Sequence, residues 1–342
     1  MTRETLDRRQ LLRSVGVGAA ALALPAAGQA ATGSGFLEPH PRWRFVFVNH
    51  ATTNPFFVPT RYGIQDACRH YGATYEWTGS RRSDVGEMVR AMRRAIDRGA
   101  AGIAISVIDR RALNKPTAEA LSRGIPVVSY NADGGVGNKR LAYIGQDLYQ
   151  SGLKFGARIA ELVRSGDVFL FIATPGQLNI QPRIDGALDA IKDSGKPIRV
   201  TVVATGPGVA EERARIEATY LAHKKLRGMF AVDGGSTQGV ADVMRKHRLR
   251  TRGVRAGGYD LLPRTLRAIA GGDFDFTIDQ QPYLQGFVPI FQLFMARYSA
   301  GLVAPSDTNT GLLFVTRRNV RPYLTTTTRY EGSSSVAEYP VT

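Results

Sequence analysis

The chain has 342 residues, 43% of them hydrophobic and 22% charged, which leaves room for two domains of ordinary size and excludes a disordered or fibrous polypeptide. Its 45 basic residues outnumber 29 acidic ones, for a formal net charge of +16. They are spread along helical stretches such as "RAMRRAIDRG" and "RKHRLRTRG", with no compact tract of interleaved aromatics, so they read as a solvated surface and no nucleic-acid partner is expected.

Residues 1–30 read as an export signal. "MTRETLDRRQLLR" is a positively charged opening, and "SVGVGAAALALPAAGQA" is apolar but too short to span a bilayer. Gly28 and Ala30 supply the small residues for cleavage near Ala30, and Asp7 to Arg13 resembles a twin-arginine signal with Leu11 in place of the usual Phe. The other reading is a general secretory signal; both routes predict a periplasmic protein. Without that segment the chain keeps 41 basic and 27 acidic residues and has no other long apolar run, so it is expected to be soluble and not membrane-inserted. The one cysteine, Cys68, excludes an internal disulfide and sits in the helical pattern "IQDACRHYG" as a small buried hydrophobe.

From there strand-like and helix-like stretches alternate. "RFVFVNH" predicts a strand, "TRYGIQDACRHYG" a helix ending at Gly72, and "ATYEWTG" a second strand. In "SDVGEMVRAMRRAIDRG" the residues Val85, Met88, Val89, Met92 and Ile96 recur at helical spacing, with Ser83 as N-cap and Gly99 as the stop. "AGIAISVID", a helix over "RALNKPTAEALSRG", and "IPVVSYNAD" complete a first set. "VFLFIAT", "IRVTVVATG", "RGMFAVDG", "VRAGGYD" and "FDFTIDQQ" are the strands of a second, separated by helices such as "TQGVADVMRKH". The near-continuous apolar strands fit parallel sheets covered on both faces. Two such sets predict two doubly wound, Rossmann-like α/β domains.

Ligands of such sheets sit beyond the carboxyl ends of the strands. The polar residues there are Asn49, Asn54, Asn131, Asp133, Gln181, Asp233, Asp260 and Gln280, in the company of Phe56, Phe57, Trp77, Tyr130 and Tyr259. Amides donate and accept, and carboxylates accept twice, so together they satisfy vicinal hydroxyls. Aromatic faces cover the C–H faces of a sugar ring. "NHATTNPFF" puts two rings at a strand–helix junction, a place where something is expected to lie against them. No Gly-x-Ser-x-Gly elbow is present, and His40, His50, His70, His223 and His247 lack metal-ligand spacing, so neither an enzyme nor a cofactor or metal is expected. The Gly-rich "TGPGVAEE" reads as a structural turn. In "GGDFDFTID" the acids Asp273 and Asp275 read as surface residues.

"NPFF", "AVDGG" before a helix, "GGYD" and "FTIDQQPYLQG", in this order from about Arg42 to Leu324, resemble the type I periplasmic sugar-binding proteins of the ribose-binding-like group. The resemblance implies two lobes joined by a three-segment hinge, residues 42–147 plus 281–310 and 148–280 plus 311–342. It implies that Asn54 bonds a sugar hydroxyl, that Phe56 and Phe57 stack on the ring, and that Asp233, Asp260 and Gln280 contribute from the second lobe and hinge. Asn131 stands where ribose binders carry an aspartate. Arg183, before Asp185-Gly186, matches the general Arg-x-x-Gly of the group. Ala132 and Gln181 replace two family arginines, and no aromatic stands near "ATGPGV", where Trp77 or Tyr130 are candidate substitutes. Losing two guanidinium forks argues against ribose held in the usual way and leaves another pentose, a hexose, a polyol or a cyclitol. The expected role is that of a monomer that closes on a sugar and delivers it to a membrane ABC permease. The alternative is a sensory binding protein that docks on a receptor kinase or chemoreceptor. A sugar-responsive repressor would need a helix-turn-helix head where this chain has an export signal.

Overall fold

The computed structural model describes residues 39–206 and 208–325; the expected export signal and the polar tail beyond 325 lie outside the described residues. The run "RFVFVN" forms β1 (Arg44–Asn49), which pairs in parallel with β2 (Thr74–Gly79) and β3 (Gly102–Ile105). Helices α1 (Val58–His70), α2 (Val85–Asp97) and α3 (Arg110–Ser122) alternate with these strands, and β4 (Val127–Tyr130) and β5 (Ala142–Gly145) follow. The second set comprises α4 (Leu148–Leu162), β6 (Gly166–Ile172), α5 (Gln181–Asp193), β7 (Ile198–Ala204) and α6 (Val209–Ala222). It continues with β8 (Gly228–Ala231), α7 (Gly234–Lys246), β9 (Arg255–Tyr259), α8 (Pro263–Gly271) and β10 (Phe276–Asp279). After α9 (Leu284–Tyr298) come β11 (Thr308–Asn309), β12 (Leu313–Thr316) and α10 (Arg321–Thr325).

The strands make two six-stranded sheets, β11-β5-β4-β3-β1-β2 and β12-β10-β9-β8-β6-β7. Every ladder is parallel except β10 with β12. Both faces of each sheet are covered. In β6, Phe169 and Phe171 join the core under α6, α7 and α8, while Val168, Leu170 and Ile172 join the core under α4 and α5. That alternation between two buried faces is why the strand reads as unbroken apolar sequence. In the first lobe Val46 and Val48 pack with Met88, Met92 and Ile96 of α2 and Leu113 of α3. Cys68 is buried in α1, and burial pushes its thiol up to about 12, which leaves it an inert core residue. No helix among the described residues is long and apolar enough to cross a membrane.

The chain passes between the sheets three times, at 146–147, 280–283 and 310–312. These segments are bonded to one another. Thr310 Oγ1 donates to the Gln280 carbonyl at 2.8 Å, and Gln146 Nε2 donates to the Gly311 carbonyl at 3.1 Å.

Two local expectations change. The N-cap of α2 is Asp84, whose Oδ1 accepts the Glu87 N–H at 2.8 Å, and not Ser83, which takes a left-handed φ of +62°. Ser80 Oγ accepts the amides of Arg82 and Asp84 and so carries the turn one residue further. Asp275 is not a surface residue. Its carboxylate is nearly buried between Arg250 and Arg255, at 2.7 and 2.6 Å, and accepts the Ala256 amide. A carboxylate at the start of a strand thus neutralises two of the many arginines.

Candidate functional site

The carboxyl ends of β1, β2, β6, β8 and β9 face one another across the two lobes, where they enclose a cavity of about 510 Å³. The first lobe lines it with His50, Ala51, Thr53, Asn54, Arg81 and Arg82, the second with Gln177, Asn179, Val209, Glu212, Asp233 and Gln238. The lobes touch at its rim. The Leu178 amide donates to the Ile108 carbonyl at 3.3 Å, and Asn179 Nδ2 lies 3.5 Å from His50 Nε2. His50 is buried, and desolvation lowers its pKa to about 4, so it is a neutral imidazole at pH 7. Its Nδ1 is 2.8 Å from Ser106 Oγ, which fixes the ring.

Asn54 borders this cavity as the cap of the 3-10 turn Pro55–Phe57. Its Oδ1 accepts the Phe56 amide at 3.0 Å. The two rings that follow are both buried and meet edge to face, centroids 4.8 Å apart. Phe57 points inward against His50 and Trp77. Phe56 faces a smaller void that it shares with Asp260, Leu262, Gln280 and Pro282. Of the candidate substitute rings, Trp77 stacks on Phe47 and donates its Nε1 to the Thr52 carbonyl. Tyr130 is fully buried, its hydroxyl accepting from Asn49 Nδ2 at 2.7 Å.

Asp233 caps α7. Its Oδ1 accepts the Ser236 amide at 2.8 Å and its Oδ2 the Ala173 amide at 2.9 Å. Each oxygen keeps a lone pair for a ligand. Behind it, Arg183 is 2% exposed, donates Nη1 to the Val232 carbonyl at 2.8 Å and lies over the Tyr259 ring at 4.1 Å. It is a buried cation that supports the acids of this wall and is itself covered. Asp260, at φ +73°, accepts Gln280 Nε2 at 2.7 Å; burial pushes it up to about 6, against the pull of Arg183 and Gln280.

Asn131, at φ +63°, donates Nδ2 to Gln285 Oε1 at 3.0 Å, and Gln285 Nε2 donates to the Gln280 carbonyl at 3.1 Å. Asn131, Gln285, Gln280 and Asp260 therefore form one buried amide relay from the first lobe to the second. Asn and Asp tolerate the left-handed conformation that both ends of the relay need.

Two predicted residues stand apart. Gln181 accepts the Gly176 amide and donates to Asp185, both at 2.8 Å, which braces the loop carrying Gln177 and Asn179. Asp133 is held by Arg140 at 2.8 and 2.7 Å and by Ser129, and lines a separate groove with Tyr143, Asp147 and Asp307. The cavity also holds His50, Gln177, Asn179 and Glu212, which the strand-end reading passed over. For Glu212 a signal existed: Glu212, Ile216 and Tyr220 are the buried residues of α6, and a carboxylate at that spacing interrupts an apolar stripe.

The periplasmic binding protein domain matches residues 45–296. The chain belongs to that family. It is 51% identical over 315 residues to the xylose/arabinose-binding protein XylF of Sulfolobus acidocaldarius, a match that covers 88% of this chain and 77% of that relative. Among solved structures, an ABC transporter solute-binding protein from Burkholderia graminis C4D1M, in complex with D-arabinose, superposes with a TM-score of 0.77. It is 24% identical, and the match covers 82% of this chain and 98% of that one, a likeness of fold. AraP, an arabinose-binding protein from Geobacillus stearothermophilus, gives 0.68 at 26% identity, covering 83% and 99%. The family is one of periplasmic binding proteins, with a sugar-binding protein as its 51% identical relative, and not one of enzymes.

Proposed function

We propose that this exported protein captures a pentose, xylose or arabinose first, in the cavity between its lobes and presents it to a membrane ABC permease. The observation that carries the reading is the cavity itself, of about 510 Å³, walled by amides and carboxyls from both lobes. The xylose/arabinose-binding relative, 51% identical, supports the choice of pentose. Asn54 from the first lobe and Asp233 from the second are the contacts proposed to grip the ring hydroxyls. Phe56, Asp260 and Gln280, which surround the smaller void beside that cavity, are the groups proposed to close the far side of the ring, with Asn131 holding the hinge relay behind them. A ligand bonded only to one lobe leaves the open and closed forms in their original ratio. Closure is driven by what the other lobe adds. The permease then reads the closed pair of lobe surfaces.

The test is a thermal-melt screen of the chain from Ala31 onward with xylose, arabinose, ribose, glucose, myo-inositol and a panel of amino acids. A pentose at a thousand times its Kd adds about 4 kcal/mol of stability, a shift readily seen. Silence across the sugars with a response to an amino acid would replace this reading.

A further inference from the structure

Three residues on the buried face of α6 stand four apart: Glu212, Ile216 and Tyr220. The last two are ordinary core. Glu212 is 4% exposed, its Oε2 is buried without a hydrogen-bond partner, and its side chain borders the cleft cavity beside Asp233 and Gly235. Space for that carboxyl depends on residue 235, where any Cβ would collide with Glu212 Oε2. A carboxyl that served only the fold would be bonded to something, because an unpaired buried oxygen is costly. Three other acids of the cleft and hinge have their partners. Asp233 caps α7, Asp260 holds Gln280, and Asp279 accepts the Gln281 amide.

We propose that Glu212 is a sugar-contacting and specificity-determining residue, its carboxyl bonding a ligand hydroxyl on the wall it shares with Asp233. The proposal rests on the reading of the cleft as a sugar site. Glu212 stands on the wall near "ATGPGV", where the resemblance called for an aromatic ring, so this chain answers a stacking position with a hydrogen-bonding one. A ring there is tolerant of which hydroxyl points where, whereas a carboxyl rejects an epimer that leaves it unpaired.

The charged groups around it set its form. Burial, then Asp233 and Glu211, push Glu212 up to about 8. Arg183 lies behind Asp233, and Arg81, Arg82 and His50 face it from the other lobe. Burial raises Asp233 as well, so the two neighbouring carboxyls hold a proton more readily than isolated acids, and one of the pair donates through O–H while the other accepts. As the pH rises the pair loses that proton, the two carboxylates repel each other, and binding weakens.

The test titrates xylose and arabinose into the wild type, Glu212→Ala and Glu212→Gln from pH 6 to pH 9. The expected result is at least a tenfold loss for Glu212→Ala and, at pH 6, an affinity for Glu212→Gln within about threefold of wild type. The wild type weakens between pH 7 and pH 9 and Glu212→Gln does not. Wild-type affinity in Glu212→Ala, with or without a shifted melt, would overturn the proposal and leave the sugar site standing. A wild type that takes neither pentose would overturn both.

Discussion

Asp233 serves the helix behind it and the cleft in front of it, and the two duties separate by substitution. Asp233→Ser keeps a side-chain oxygen at the cap of α7 but withdraws the carboxylate from the cavity; Asp233→Ala removes both. Asp233→Ala is therefore expected to cost about 2 kcal/mol of stability, from the lost cap and the lost bond to the Ala173 amide, while Asp233→Ser, which keeps the cap, costs about 1 kcal/mol. Both weaken xylose binding by about 1–3 kcal/mol through unpaired hydroxyls. Melts without sugar and titrations with it read the two effects independently, and an unaltered Kd in both variants would take Asp233 out of the contact set. At this scale the sequence carried part of the site. Asn54 and Asp233 were legible because the end of a parallel strand is itself a functional position. Gln181 and Asp133 occupy such ends too, yet Gly176, Asp185 and Arg140 satisfy them locally, a tertiary fact that no one-dimensional reading holds. Glu212 was missed for the converse reason: it belongs to the first turn of a helix, one glycine-rich loop beyond the end of its strand.

Among the elements, α4 and α5 pack backbone against backbone. Gly156 of α4 sits where a Cβ would collide with the Ala187 carbonyl, and Gly186 of α5 lies as tightly against the Tyr149 carbonyl. Backbone-to-backbone contact of this kind leaves no volume for a side chain. Gly156→Val should lower stability by about 1–3 kcal/mol, read as a reduced urea midpoint with an unchanged slope. A midpoint equal to wild type would mean that the two helices slide apart freely. The alternation of helices and strands was legible because both sheets are covered on both faces, which writes long apolar runs separated by helical periodicity. β11, with two residues, and β12, with four, were not. Their pairing is decided by the neighbours β5 and β10, and strands so short carry no period of their own.

For the whole molecule, the two lobes meet through few groups at the cleft rim: Leu178 with Ile108, and Asn179 with His50. These contacts exist only while the lobes are together, so they favour the closed form in addition to anything His50 and Asn179 offer the sugar from the cavity wall. Asn179→Ala removes one of them and is expected to raise the xylose dissociation rate several-fold, with the association rate changed little. Stopped-flow release from the loaded protein measures this directly. A slower association with unaltered release would show that Asn179 acts on the open form instead.

The three crossings also dictate a timetable for synthesis. The sheet that begins with β1 lacks its edge strand until Asn309 has been made, and α1 lacks the helix α9, whose N-cap residue Tyr283 puts its carbonyl where a side chain on Gly63 would go. The other sheet waits for β12, which ends at Thr316. A nascent polypeptide leaving the ribosome in order thus holds two incomplete half-molecules until β11 and β12 have been made, and both are finished within a few residues of each other. Aggregation-prone edges stay open through translation, and a chaperone that shields them has its window before residue 309 appears.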